Sequence, residues 1–217
     1  FTSAGVTFED GDVIADNLVN TTNSPITITY AFSVNVDGCD DGVADMTTDV
    51  TVNPNPVLTI TNLATEICSG ELTDITLTTP TDNEVITVTD VNYGLVTGGS
   101  VSVSDVYSDG GEVDELLENP TDNAITISYE FTITTTDGCP TAPTPQTVFV
   151  TVAPRPTMSI SNSTATDICS GEATAITLNS TVTDASIVLE GVSNTAGVTG
   201  FTSAGVTFED GDVIADN

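Results

Sequence analysis

An internal repeat is the feature that most constrains the fold. Residues 1–17, FTSAGVTFEDGDVIADN, reappear without change as residues 201–217. The chain of 217 residues therefore spans one period of 200 residues plus a 17-residue overlap. Self-similarity at a fixed period is typical of arrays of similar structural units. We expect this sequence to be a window onto a longer repetitive polypeptide.

A second, weaker period lies inside the first, at about 100 residues. The matching segments are ICSGE at 67–71 and 168–172, ITITYAF at 26–32 and ITISYEF at 125–131, DGC at 37–39 and 137–139, and VNPNP at 52–56 and VAPRP at 152–156. Because proline fixes φ, we expect the two proline segments to be stiff, extended linkers.

Cutting the chain at these linkers predicts its domains. Residues 57–156 would form one complete domain, residues 1–56 the second half of another, and residues 157–217 the first half of the next, with 201–217 identical to 1–17. Joining Asn217 to Leu18 restores a whole domain. Each terminal half would need its missing strands from the continuing chain or from another copy of the protein.

The pattern within a domain is that of β-strands. Apolar residues alternate with polar ones over 125–133 and 148–152, which places them on one face of a strand. Ile75 with Leu77, Val85, and Val101 with Val103 predict further strands between clusters of turn residues. About seven short strands in about 100 residues is typical of an immunoglobulin-like β-sandwich. The fold predicted is all-β, with tandem sandwiches arranged end to end. Tyr30 and Tyr129 are interpreted as core residues with a hydroxyl at the rim.

Charge excludes several classes of function. The chain has 32 acidic residues, one basic residue and no histidine, for a net charge of −31. Nucleic acids and anionic membranes need clustered Lys and Arg, so neither is expected as a partner. The usual general base and Schiff-base amine are missing as well, and we expect no enzyme. No apolar run reaches the length of a membrane span, and no signal peptide is expected.

Acidic clusters suggest a calcium site. Ca²⁺ takes six to eight oxygen ligands, and carboxylates on loops at one end of a sandwich can supply them. The candidates are Asp109, Glu112, Asp114 and Glu115 in one repeat and Glu209, Asp210, Asp212 and Asp216 in its partner, with a second group of Asp37, Asp40, Asp41 and Asp45 around Cys39. The alternative is that these loops are solvated and that magnesium or a diffuse cation atmosphere screens their charge.

Four cysteines recur with the repeat. Their spacing fits disulfides in an oxidising, extracellular setting better than zinc, which would need paired CxxC spacing or His. Each domain owns one cysteine of each kind, which favours a bridge between Cys68 and Cys139, with Cys39 and Cys169 pairing to repeats outside the window. The alternative is a bridge between neighbouring domains, because the two turns involved lie at opposite ends of a seven-strand sandwich.

The ordered set of motifs resembles a known family. ICSGE before a strand, a D-x-L segment (Asp16-Asn17-Leu18 and Asp114-Glu115-Leu116) before ITxxYxF, then DGC and a strand ending in VxPxP are similar to the PKD-like and immunoglobulin-like tandem domains of very large bacterial surface adhesins. That group includes adhesins of gliding bacteria exported by the type 9 secretion system. The resemblance implies an extracellular stalk on the cell surface and carries over no catalytic residues.

Three functions remain open. The leading hypothesis is a stalk or filament segment that extends an adhesive tip, with neighbouring identical repeats as its partners; a tip outside these residues would make any contact with surface polysaccharide. One alternative is a filament subunit that polymerises from separate chains by strand exchange. Another is a glycan-binding module, for which a chain without Trp and with 5% aromatic residues is poorly equipped.

Overall fold

The protein is all-β. The computed structural model describes residues 5–37, 39–40, 45–137, 139, 145–162, 167–193 and 195–216, and for Val36 and Asp40 the backbone only. These residues contain 19 strands and no helix, and the strands form several sheets. The expected all-β class is confirmed. For clarity, residues 5–56, 57–156 and 157–216 are called the N-terminal, central and C-terminal units.

The central unit holds ten of the strands. They are β5 (Thr59–Asn62), β6 (Glu66–Cys68), β7 (Glu71–Leu72), β8 (Ile75–Thr78), β9 (Glu84–Asn92), β10 (Val106–Tyr107), β11 (Gly111–Val113), β12 (Leu116–Leu117), β13 (Ile125–Thr135) and β14 (Gln146–Ala153). A five-stranded sheet has the order β10-β9-β13-β14-β6, and a three-stranded sheet has the order β11-β8-β5. In the larger sheet, β6 joins β14 in parallel, whereas the other pairs are antiparallel.

Alternation along β13 builds the core. Ile127, Tyr129, Phe131 and Ile133 are buried, and Val150 and Val152 of β14 lie beside them. Leu77 and Val113 of the smaller sheet belong to the same cluster of buried side chains. The two sheets therefore pack as layers around one core, as a β-sandwich does.

One expected strand is a loop instead. Val101 is buried, but it and Val103 lie outside any strand, in the segment between β9 and β10. The reason is that the Val101 N–H donates to the side chain of Glu115, at 2.7 Å, rather than to a neighbouring strand. Apolar alternation therefore predicted the burial of Val101, whereas Val103 is exposed, and it did not predict the hydrogen-bonding partner of this segment.

The terminal units are smaller. The N-terminal unit contains β1 (Ile26–Phe32), β2 (Asn35–Val36), β3 (Cys39–Asp40) and β4 (Met46–Val52), where β1 pairs with β4 and β2 with β3. The C-terminal unit contains β15 (Met158–Asn162), β16 (Ile176–Ser180), β17 (Ile187–Val188), β18 (Thr207–Phe208) and β19 (Val213–Ile214), with sheets β15-β16-β19 and β17-β18.

The chain enters and leaves the central unit at opposite ends. Leu58 lies near the start of the central unit. Its carbonyl accepts a hydrogen bond of 3.0 Å from Nε2 of Gln146, which is the first residue of β14. Ala153, the last residue of β14, pairs with Cys68. A strand of this length extends about 25 Å. We call the end near Leu58 the leading end and the end near Ala153 the trailing end.

Candidate functional site

A buried carboxylate lies between the two sheets of the central unit. Glu115 follows β11, and its side chain is only 4% exposed. Its backbone is held by Thr73: the Glu115 N–H donates to Thr73 Oγ1 at 2.9 Å, and the Thr73 N–H donates to the Glu115 carbonyl at 3.0 Å. Thr73 Oγ1 in turn donates to the Val113 carbonyl at 2.7 Å. These bonds turn the Glu115 side chain towards the core.

Hydrogen-bond donors surround this carboxylate. The Tyr129 hydroxyl donates to Oε2 at 2.6 Å, and the Tyr93 hydroxyl lies 2.7 Å from the same oxygen. The other oxygen, Oε1, accepts three further hydrogen bonds. They come from the backbone N–H of Val101 at 2.7 Å, the backbone N–H of Ser100, and the Ser100 hydroxyl at 3.1 Å. Glu115 thus ties the loop before β10 to strand β13 of the larger sheet.

The electrostatics follow from these contacts. Burial alone would raise the pKa of Glu115, but hydrogen bonds from Tyr129, the Ser100 N–H, Tyr93 and the Val101 N–H outweigh burial and lower that pKa. Burial and the nearby Glu115 carboxylate raise the pKa of both tyrosines. The carboxylate is therefore an anion whose oxygens are occupied by fixed donors. Such a group cross-links its surroundings and is poorly suited to abstract a proton from a substrate.

The same pairing recurs in the N-terminal unit. The Tyr30 hydroxyl donates to Asp16 at 3.0 Å, and both this pair and Tyr129 with Glu115 are 14 residues apart. The structural equivalent of Asp16 is therefore Glu115, not Asp114 as the D-x-L alignment assumed. The amides of Asn20 and Asn119 support this register, because each donates to the last strand of its hairpin, at Val52 and Val152.

In the C-terminal unit the equivalent acid is Asp216. Its N–H donates to Thr174 Oγ1 at 2.9 Å, as Glu115 does to Thr73, and its carboxylate accepts from the Thr202 hydroxyl at 2.5 Å. The constant separation of 14 residues between acid and tyrosine is the sequence signal that could identify this pair in the other two units. The interpretation of the Tyr129 hydroxyl as a rim group was wrong, because Tyr129 is fully buried and the hydroxyl faces Glu115.

The other acidic residues proposed for calcium mostly cap turns. Asp109 accepts the Thr79 N–H at 2.8 Å, Asp210 the Ser180 N–H at 2.6 Å, and Asp212 the Glu209 N–H at 2.8 Å. Glu112 and Asp114 are exposed. Within the described residues, no three Asp, Glu, Cys or His side chains are grouped so that they could hold a metal ion. Of the second acidic group, Asp41 and the side chain of Asp40 lie outside the described residues.

The cysteines do not form the expected bridge. All four are free thiols in the structure. Cys68 pairs with Ala153 at the trailing end, whereas the Cys139 N–H donates to Thr135 Oγ1, beyond the opposite end of β14. A disulfide needs Cα atoms within about 7 Å, and the length of β14 alone exceeds that several times. The expected bridge between Cys68 and Cys139 is therefore wrong, because the antiparallel hairpin β13–β14 places these residues at opposite ends of the central unit.

No protein-family model matches the chain, and no curated protein matches it significantly. Among the described residues, none belongs to a helix able to cross a membrane.

Proposed function

We propose that this chain is a structural segment of an extracellular stalk, in which PKD-like or immunoglobulin-like sandwiches of about 100 residues follow one another end to end. The observation that carries the proposal is the path of the chain through the central unit. The chain enters at the leading end and leaves at the trailing end. Tandem units with this path extend a chain, whereas units with adjacent termini would fold it back.

Contacts at the leading end support a rod. The Asp82 N–H donates to the Asn23 carbonyl at 3.1 Å, and the Ser24 hydroxyl donates to the Asp82 carboxylate, so the N-terminal unit contacts the central one beside their linker. Pro54 and Pro56 of that linker are buried. A docked proline linker restricts rotation between neighbours. The net charge of −31 opposes sideways association of such rods.

A structural role also suits the buried carboxylate. Its donors are two backbone N–H groups, the Ser100 hydroxyl and two tyrosines, which stabilise the sandwich rather than face a substrate. A glycan-binding module receives less support: Tyr93, Tyr107, Tyr129 and Phe131 belong to the core or pack against it, while Phe149 is exposed. We therefore favour a stalk that carries an adhesive tip away from a cell surface.

Length measurements test the proposal. Polypeptides of one, two and three 200-residue periods would be imaged by electron microscopy and measured by small-angle X-ray scattering. A stalk predicts a maximum dimension that grows by a constant increment per period. A maximum dimension that grows only as the cube root of the mass would overturn the proposed stalk. Immunolabelling of intact cells, with the intact mass of the native protein, tests the surface location and the tandem array.

A further inference from the structure

The two junctions between units differ in chemistry. The first junction joins the N-terminal unit to the central unit, and the second joins the central unit to the C-terminal unit. We propose that the stalk alternates two kinds of junction: the first is latched by Asp82, and the second, which lacks this aspartate, is free to bend. The inference rests on the proposed stalk and adds one bending joint to every 200-residue period.

Each junction involves two turns. The trailing turn comes from the unit before the junction, and it comprises residues 20–24 in the N-terminal unit and 119–123 in the central unit. The leading turn comes from the unit after the junction, and it comprises residues 79–83 in the central unit and 180–184 in the C-terminal unit. All four turns lie within the described residues, so each can be compared with its counterpart residue by residue.

The two trailing turns are held in the same way. The side-chain amide of Asn20 donates to the carbonyl four residues later and to the carbonyl of the last residue of β4, both at 2.8 Å. The amide of Asn119 makes the same two hydrogen bonds in the central unit, at 2.7 and 2.8 Å. Because the turns are built alike, their residues correspond one to one. The counterparts are Asn23 and Asp122, and Ser24 and Asn123.

The two leading turns are also built alike. The Thr79 N–H donates to Asp109 Oδ1 at 2.8 Å, and the Ser180 N–H donates to Asp210 Oδ1 at 2.6 Å. In both turns the N–H two residues later donates back to the hydroxyl of Thr79 or Ser180, at 3.1 Å. Both turns end in a residue with positive φ, +57° in the central unit and +60° in the C-terminal unit. The counterparts are Asp82 and Thr183, and Asn83 and Asp184.

Asp82 connects the two turns of the first junction. Its N–H donates to the Asn23 carbonyl at 3.1 Å, and its carboxylate accepts a hydrogen bond from the Ser24 hydroxyl. We call these two hydrogen bonds the latch. A hydrogen bond to an ionised carboxylate is stronger than one between neutral groups. Because Asn20 and Asp109 already hold the two turns in place, the latch forms with little further loss of conformational freedom.

Threonine replaces the latching aspartate at the second junction. Thr183 is the counterpart of Asp82, so a neutral hydroxyl lies where the first junction has a charged acceptor. Asp122 and Asp184 place one carboxylate on each of the two turns, and ionised carboxylates accept hydrogen bonds but donate none. In the part of the chain that the structure describes, no hydrogen bond joins these two turns. The substitutions therefore remove the latch, although both turns keep their shape.

The linkers of the two junctions differ as well. Arg155, the one basic residue of the chain, lies in the second linker at the position of Asn55 in the first. Its Nη2 lies 3.3 Å from the point that a Cβ on Gly70 would occupy, so the guanidinium packs against the trailing end of the central unit. Arg155 therefore joins its linker to the unit that precedes it, whereas Asp82 joins two units to each other.

The repeat turns this difference into an alternation along the stalk. With a period of 200 residues, each unit of the central type follows a unit that carries Ser24 and precedes a unit that carries Thr183. Neighbouring domains move relative to each other unless their interface restrains them. Pairs of units joined by the latch would therefore move as one body, and the stalk would bend at the junctions between pairs. Such joints change the direction of a stalk without unfolding any unit.

Hydrogen exchange of the whole 217-residue chain, followed by NMR, tests the latch. The Asp82 amide is the reporter, because it donates across the first junction. Ser24→Ala removes the hydroxyl that binds the Asp82 carboxylate, and it should speed exchange of this amide about fivefold. Asn123→Ala changes the counterpart of Ser24 at the second junction and should leave the Asp82 amide unchanged. An Asp82 amide that exchanges equally fast in the wild type and in Ser24→Ala would overturn the latch.

Moving the latch tests the alternation. In polypeptides of three 200-residue periods, electron microscopy would measure the angle between neighbouring units. The wild type should show narrow and broad angular distributions in turn along the rod. Asp82→Ala should broaden the narrow ones. The double substitution Asn123→Ser with Thr183→Asp gives the second junction both side chains of the latch, and it should narrow the broad ones.

The outcomes separate this inference from the proposed stalk. Equal angular distributions at both kinds of junction in the wild type would reject the alternation, and the stalk would stand if its length still grows by a constant increment per period. A length that does not grow in this way would reject the stalk, whereas exchange of the Asp82 amide would still decide whether the latch exists.

Discussion

Tyr129 on β13 donates a 2.6 Å hydrogen bond to Glu115, which lies 14 residues earlier on the segment between β11 and β12. The bond joins the two layers of the central unit through a buried anion. Every buried side-chain nitrogen or oxygen in the described residues has a hydrogen-bond partner. The stability of the sandwich should therefore depend on keeping this carboxylate satisfied.

Tyr129→Phe should destabilise the central unit by about 2 kcal/mol, because it removes a donor from a buried charged acceptor. Urea unfolding followed by circular dichroism measures the change. Tyr30→Phe is the control: it breaks the equivalent bond to Asp16 in the half-exposed N-terminal unit. It should leave the main transition unchanged. Equal effects of the two substitutions would contradict a special role for the buried pair.

Glu115 should make the stability of the central unit fall in acid. The pKa of Glu115 is lowered on folding from its ordinary 4.5. The ionised carboxylate therefore contributes stability above that value, and the contribution is lost as pH falls through the lowered pKa. The difference in unfolding free energy between the wild type and Glu115→Gln should shrink over this range.

Asp114→Asn supplies the matched control for the pH experiment, since Asp114 is adjacent but exposed. Its unfolding free energy should follow that of the wild type at each pH. The difference in unfolding free energy between the wild type and Glu115→Gln cancels the effect of protonating the other carboxylates, because both proteins contain them. A difference that stays constant from neutral pH into acid would show that Glu115 is not the titrating group.

Gly98→Ala should be more damaging than Gly110→Ala. Both glycines have positive φ, +91° and +75°, so each substitution carries a backbone penalty of about 1 kcal/mol. At Gly98 the new Cβ would also lie 2.2 Å from the Leu116 carbonyl oxygen, whereas at Gly110 nothing lies within 4 Å. We expect a further loss of about 2 kcal/mol at Gly98, from the overpacking. Thermal unfolding of the two variants compares them directly, and equal midpoints would argue against the close approach.

Oxidation should link cysteines between units rather than within one. Cys68 lies at the trailing end of the central unit, and Cys139 beyond its leading end. In the proposed tandem array the trailing end faces the leading end of the next unit, where the 200-residue period places the next copy of Cys39. Peptide mapping of an oxidised polypeptide of two periods, without reductant, should find Cys68 joined to a peptide of the Cys39 type. A peptide joining Cys68 to Cys139 of the same chain would contradict the observed register.

Calcium should raise the melting temperature no more than sodium chloride of equal ionic strength. Asp109, Asp210 and Asp212 each accept a backbone N–H at a turn, and the described residues show no metal-binding group. Screening of the net charge then accounts for any stabilisation. A calcium-specific increase that a chelator reverses would instead establish the calcium site expected from the acidic clusters.

Local pattern was sufficient to predict the β class and the buried face of β13. Side chains alternate across any strand, so the sequence of residues 125–133 alone places Ile127, Tyr129 and Phe131 on one face. The repeat likewise aligned the hairpins β1–β4 and β13–β14 before any contact was known. These properties depend on residues that are adjacent in the chain, so the repeated segments share them.

Tertiary structure decided the rest, because it depends on partners distant in sequence. The sequence presents Glu115 as one of several clustered acids and a candidate calcium ligand, but the fold surrounds it with donors from Tyr93, Ser100, Val101 and Tyr129. Strand length is decided in the same way: β9 is long and β17 is short because only β9 has a hairpin beside it. Backbone groups form a strand where another strand accepts their hydrogen bonds, and alternation within one segment cannot supply that partner.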